Sequence, residues 1–187
     1  YVEARANFQA GLDRYPKDFF APLAQVFIAE AHLVAGQVRE ALFAYTKVIT
    51  QYPDAVKITP LAYFKLSWCQ YQVGDFMQTI QTGSNFVAQY PNHVLAKNVY
   101  LIMGNAQIAL KRYVEATSSL QRIIDLAPSS DIAEQALFSI LKNQYDQKAF
   151  NSILTSYQFI FRHLPPSKSK WRSMSYLYAA EAYLGMN

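Results

Sequence analysis

Between Tyr113 and Pro128 the apolar residues Tyr113, Ala116, Leu120, Ile123 and Ile124 recur at short steps that keep one face of a helix apolar. Pro128 closes that stretch, and a second apolar series, Ile132, Ala136, Leu137, Ile140 and Leu141, runs on toward Lys148. The same layout recurs along the chain. Prolines stand at Pro16, Pro53, Pro91, Pro128 and Pro165, at spacings of 37, 38, 37 and 37. Seventeen residues before the last four lie Gly36, Gly74, Lys111 and Lys148, each followed two residues later by Val38, Phe76, Tyr113 or Phe150, and three further on by Ala41, Thr79, Ala116 or Ile153. Each beat therefore predicts a helix, a tight turn, a second helix and a longer loop, repeated along an all-α array. In "GDF" at 74–76 the glycine supplies the turn, because a helix C-terminus commonly needs one residue at positive φ. Lys111 and Lys148 hold the same place in two beats, so their turns must form without glycine.

The beats define boundaries. "YVEA" at 1–4 repeats "YVEA" at 113–116, and Gly185 lies 37 residues after Lys148. Residues 1–16 are then the second helix of an incomplete unit, 17–53, 54–91, 92–128 and 129–165 are four complete units, and 166–187 hold the first helix of another. The last predicted helix, "MSYLYAAEAYLG", is apolar nearly all round, which is not how a capping helix looks. We expect a piece of a longer protein, or a partner over that end; self-association through this helix is one form of it.

With 52% apolar and 15% aromatic residues the 187-residue chain can bury a core, and no apolar run reaches the roughly 18 residues of a membrane-spanning helix. Contact with a membrane would need an anchor outside this sequence. Charge changes the picture at one end only. Residues 1–146 carry 12 Lys+Arg against 12 Asp+Glu, whereas 147–187 carry Lys148, Arg162, Lys168, Lys170 and Arg172 against Glu181. The segment "LPPSKSKWR" at 164–172 reads as an extended, basic loop in which Lys168, Lys170 and Arg172 beside Trp171 form a candidate site for an anionic partner; a solvated loop is the plainer reading.

Chemistry is sparse. His32, His93 and His163 are far apart, and no His-Glu-x-x-His spacing, phosphate-binding glycine loop or Cys-x-x-Cys pair occurs. The single cysteine, Cys69, allows no internal disulfide and no cysteine-rich metal site. The sequence thus gives no catalytic residue, no cofactor and no metal ligand, and the chain is expected not to be an enzyme.

The period, the turn residues and the small residues of the first helices resemble the tetratricopeptide repeat (TPR) family. Its small-residue positions fall on Ala29, Ser67 and Gly104, and again on Ala31, Cys69, Ala106 and Ala180; its large aromatic falls on Tyr63 and Tyr100, replaced by Gln25, Leu137 and Met174; its aromatic after the turn falls on Phe76, Tyr113 and Phe150. The usual period is about 34 residues. Here the surplus lies in the loop after the proline, as in "YPDAVKITPLAY", and these longer loops with Tyr-Pro endings are similar to those of bacterial cell-envelope members of the family such as BamD and CpoB. The resemblance implies a right-handed α-solenoid of stacked antiparallel helix pairs whose first helices line a concave groove. It places partner-binding residues at Glu30 and Leu33, beside Val26; at Phe64, Trp68 and Tyr71; at Asn105 and Ile108, beside Leu101; at Lys142 and Tyr145, beside Phe138; and then at Ser175 and Ala179. Core contact is the competing role for the apolar members, and a buried small hydrophobe is the plain role for Cys69. The function implied is a non-catalytic scaffold for a peptide or protein segment. The alternative is a substrate-recognition or regulatory part of a larger enzyme or envelope assembly machine, with another domain of the same chain as partner. Nucleic acid is the weakest partner class, and the compartment implied is the bacterial periplasm or envelope, with the cytoplasm as the other option.

Overall fold

In a computed structural model that describes residues 1–163 and 170–185, the described residues form helices and connecting turns without strands. The helices are α1 (Val2–Arg14), α2 (Ala21–Val34), α3 (Val38–Gln51), α4 (Thr59–Gln72), α5 (Phe76–Gln89), α6 (Ala96–Ala109), α7 (Tyr113–Leu126), α8 (Asp131–Asp146), α9 (Phe150–His163) and α10 (Lys170–Gly185). They fall into two compact units, Tyr1–Ile102 and Met103–Asn187. In the first, α1 packs on α2, α2 on α3, α3 on α4 and α4 on α5; in the second, α7 packs on α8, α8 on α9, and α10 on both α8 and α9.

Local chemistry explains why each helix stops where it does. Tyr15, Tyr52, Tyr90 and Ala127 each precede a proline and leave the helical region, with φ/ψ of −135/61, −131/51, −131/55 and −150/61. The ring of a following proline disfavours the α conformation in the residue before it. The short turns at 35–37, 73–75, 110–112 and 147–149 follow another rule. The amide of Gly36 donates to Leu33 O at 2.9 Å and that of Gln37 to His32 O at 2.9 Å, and the equivalent pairs recur as Gly74 to Tyr71 O and Asp75 to Gln70 O, Lys111 to Ile108 O and Arg112 to Gln107 O, Lys148 to Tyr145 O and Ala149 to Gln144 O. This is the paired C-terminal bonding that satisfies carbonyls a helix end leaves open.

The turn needs a left-handed residue whatever its identity. Gly36 and Gly74 have φ of 74° and 81°, and Lys111 and Lys148 are driven to 58° and 56°. A lysine there is strained, because its Cβ crowds the following carbonyl. Lys148→Gly should raise unfolding stability by about 0.5–1 kcal/mol in urea melts despite the greater freedom of glycine in the unfolded chain; a loss of stability would mean that the lysine stem contributes more than the backbone strain costs.

Small residues let the first helices approach their neighbours. Ala29, Ser67, Cys69 and Ala106 are fully buried, and a Cβ added at Gly104 would lie 2.8 Å from the Leu120 side chain. Ala180 departs from the expectation. It is exposed, while Arg172, Ser175, Ala179 and Ala182 form the buried face of α10. Ala and Ser at 175, 179 and 182 leave room for close approach to α8 and α9, and that contact turns Ala180 outward. Leu12, Val26, Ile28, Ala44, Tyr45, Val48 and Leu66 build the core of the first unit. Leu120, Ile123, Leu137, Ile140, Leu141 and Ile153 are buried in the second. Each such large aliphatic side chain gains about 1.5–3 kcal/mol from leaving water.

Candidate protein-binding surfaces

In the first unit the candidate residues come from α2 and α4. Val26 is buried and belongs to the core, whereas Leu33, Phe64 and Tyr71 are half-buried and Trp68 is exposed at 36%. Phe64, Trp68 and Tyr71 occupy i, i+4 and i+7 of α4, which puts them along one stripe. The end of the stripe is tied down: the Tyr71 ring lies 5.5 Å from Phe76, across the turn. Trp68 is not tied in this way, and among the described residues none accepts from its indole N–H.

Glu30, the acid on this stripe of α2, is engaged by two groups that sequence reasoning missed. Its Oε1 is 2.8 Å from Lys65 Nζ and accepts from Tyr45 OH at 2.6 Å. Tyr45 is fully buried, and burial, then the Glu30 hydrogen bond, pushes its hydroxyl far above the usual phenol range, so it remains a donor. The carboxylate is thereby oriented as an acceptor for both groups. Cys69 is fully buried, and burial pushes its thiol up to about 11, which keeps it protonated and unreactive.

In the second unit Asn105 and Ile108 of α6 are half-buried. On α8, Lys142 is exposed and pairs with Asp146 at 3.4 Å, one helical turn away. Tyr145 stacks toward Phe150 across the turn at 6.4 Å, repeating the Tyr71–Phe76 arrangement, and lies 5.2 Å from Tyr178. A hydrogen bond to Glu181, followed by that carboxylate's charge, raises the Tyr145 hydroxyl above its usual range. Phe138 is 5.4 Å from Trp171 and 5.5 Å from Tyr178. Ser175 and Ala179, expected on this surface, are buried at 2% and 3%. The aromatic residues Trp171 and Tyr178 meet Phe138 and Tyr145 instead, because the small-residue face of α10 turns inward. Transferring positions at a fixed period assumes that every helix is rolled alike, and α10 is not.

The basic cluster also divides. Lys168 and the His163 side chain lie outside the described residues. Lys170 is exposed, with its Nζ 4.6 Å from the Trp171 ring centroid. Arg172 does not present its charge as the sequence suggests: it is buried and its Nε donates to Glu134 Oε1 at 3.1 Å, with both side chains under a tenth exposed. A deeply buried charge needs such a partner. Nothing local signals this pair, since its members are 38 residues apart.

The other histidines are structural. His32 Nδ1 is 2.9 Å from Gln37 Oε1, and His93 Nδ1 accepts from the Leu95 amide beside Phe86 and Tyr90. One polar feature at the repeat period was also missed. Gln144 Nε2 donates to Ser156 Oγ at 3.0 Å, and Gln107 with Ser119 and Gln70 with Thr82 hold the same two positions in the preceding beats. Comparing polar as well as apolar positions between beats would have found it.

Stacked helix pairs joined by paired-bond turns, with aromatic stripes on α4 and α8, define a class of helical repeat protein. Residues 24–55 and 98–130 match the tetratricopeptide repeat family model, so these two stretches are tetratricopeptide repeats. Among solved structures it is similar to MamA, at 12% identity and a TM-score of 0.66 over 97% of this chain and 86% of that one. A tetratricopeptide repeat protein from Parabacteroides merdae is similar at 14% identity and a TM-score of 0.71, over 99% of this chain and 66% of the other. YrrB, described as a TPR protein with an unusual peptide-binding site, is similar at 12% identity and 0.68, over 95% and 82%. These likenesses establish the fold. No curated protein matches the sequence.

Proposed function

We propose that the chain is a non-catalytic scaffold that holds a peptide or protein segment against the first helices of its repeats. The observation that carries this reading is the stripe Phe64, Trp68 and Tyr71, in which a large ring with an N–H to satisfy stands exposed on a rigid helix. Glu30, fixed by Lys65 and Tyr45, sets polar character beside Leu33 on α2, and Asn105, Ile108, Lys142 and Tyr145 supply the matching positions in the second unit. The peptide-binding site named for YrrB supports the reading by analogy of fold.

Trp68→Ala should weaken a segment selected from a displayed peptide library by about 2 kcal/mol while melting shifts little, because a half-exposed ring contributes modestly to the core. A melting drop of the size of a large core truncation, about 3–5 kcal/mol, with unchanged affinity per folded molecule would remove Trp68 from the site.

A second reading is favoured by α10, whose Met174, Leu177, Tyr183 and Leu184 are exposed at 42%, 58%, 51% and 76%. Apolar residues clustered this way mark a contact surface. On this reading the repeats are the recognition part of a larger assembly, covered at α10 by another domain or by a second copy. Sedimentation over a concentration series separates the two, since only a second copy gives association that rises with concentration.

A further inference from the structure

The first unit has a cleft on a side that the groove reading does not use. It measures about 410 Å³ and opens between α1 and α3 over α2, lined by Gln9 of α1, Gln25 and His32 of α2, and Arg39, Phe43 and Lys47 of α3. On α2 its stripe of residues 25, 28 and 32 lies roughly 130° round the helix from residues 30 and 33 at 100° per residue. The two surfaces are therefore separate.

The charge of the cleft is unbalanced. Among the described residues neither Arg39 nor Lys47 has an acidic partner within ion-pair distance, as holds also for surface cations such as Lys57; what sets these two apart is that they line one cleft. The carboxylate that lines the cleft, Glu40, sits in the first turn of α3, where the positive end of the helix offsets its charge. Lys47 Nζ lies 4.9 Å from the Phe43 ring centroid, and that ring is 62% exposed. Buried Gln25, in the floor, donates to Ala44 O at 3.4 Å. A guanidinium fork and an ammonium beside an exposed aromatic ring in one concave site complement a carboxylate-bearing ligand that also carries an apolar group.

We propose that this cleft is a second binding site, taking an acidic segment of a partner protein with its carboxylates on Arg39 and Lys47 and an apolar side chain on Phe43. The probe is a fluorescein-labelled peptide of four glutamates around one leucine, followed by anisotropy with the whole chain. Binding should be weak and salt-sensitive, and Arg39→Gln and Lys47→Gln should each weaken it about fivefold, as expected for partly exposed ion pairs. Phe43→Ala should weaken it by a similar factor, and the control Lys57→Gln, at an exposed lysine in the loop before α4, should leave it unchanged. Arg39, Phe43 and Lys57 are exposed and Lys47 is half-buried with no acidic partner, so thermal melts should change little. Absence of binding at low salt, equal loss with Lys57→Gln, or equal binding of a lysine peptide overturns the proposal. Displacement of the peptide by inorganic phosphate at equal concentration of negative charge would show a free-anion site and overturn the choice of a protein segment.

Discussion

Arg172→Ala should destabilise the second unit by about 3–5 kcal/mol, the largest single-residue effect expected in this protein. The substitution leaves the Glu134 carboxylate, 5% exposed, without the guanidinium that balances it at the α8–α10 contact. Urea unfolding should shift to lower midpoint, and hydrogen exchange should show the loss concentrated in α8 and α10. Removing both charges is a different experiment. Glu134→Leu combined with Arg172→Met fills the same space without a buried ion, and it should recover most of the loss. A single variant that melts like the parent would show that Arg172 reaches solvent and that the pair contributes no more than a surface bridge. A double variant as unstable as the single one would place its value in specificity of helix register instead.

Raising the pH from 9 to 11 should cost the first unit about 2 kcal/mol of stability through Cys69, with Tyr45 adding to the loss above pH 10. The folded state holds the Cys69 thiol up to about 11 against an ordinary 9.0, and it holds the Tyr45 hydroxyl well above 10.0. Both groups are neutral when protonated and both pKa values are raised on folding. Their contribution is complete below the unfolded values, and it declines as pH climbs from those values toward the folded ones, by about 1.4 kcal/mol per unit for each group. Cys69→Ala should flatten the part between pH 9 and 10 while leaving the steeper loss above it. Chemical melts at stepped pH measure this directly, and an unchanged slope in the variant would assign the alkaline loss to other groups.

The helix count and the turn positions were legible because they depend on neighbours in sequence. A proline acts on the residue before it, and a left-handed turn residue completes bonds within its own helix end, so Pro53 and Gly36 carry their message alone. Lys111 and Lys148 were legible by place and not by type: the period put them in the turn, and the backbone took the same conformation against their preference. The candidate surfaces were legible only in part. The spacing gives Phe64, Trp68 and Tyr71 one stripe of α4 and names Glu30, but Lys65 and Tyr45, which decide what Glu30 can do, are brought in by packing. The roll of α10 was illegible because it depends on which face fits α8 and α9, a choice that Ser175, Ala179 and the Glu134–Arg172 pair make together. The same packing exchanges two small residues for Trp171 and Tyr178 on the aromatic surface.

The helix ends at Tyr52 and Tyr90 make the first unit editable. Both are tyrosines poised before proline with nearly superimposable backbone angles, and the turns after them open alike, Ala55 N donating to Tyr52 O and His93 N to Tyr90 O, each at 3.1 Å. Excising residues 53–90 would join Tyr52 to Pro91 and recreate a Tyr-Pro joint native to the chain at both parent sites. Because the instruction to stop the helix resides in two adjacent residues, such a graft brings its own hinge, and the array can be shortened or lengthened by whole beats without designing a linker.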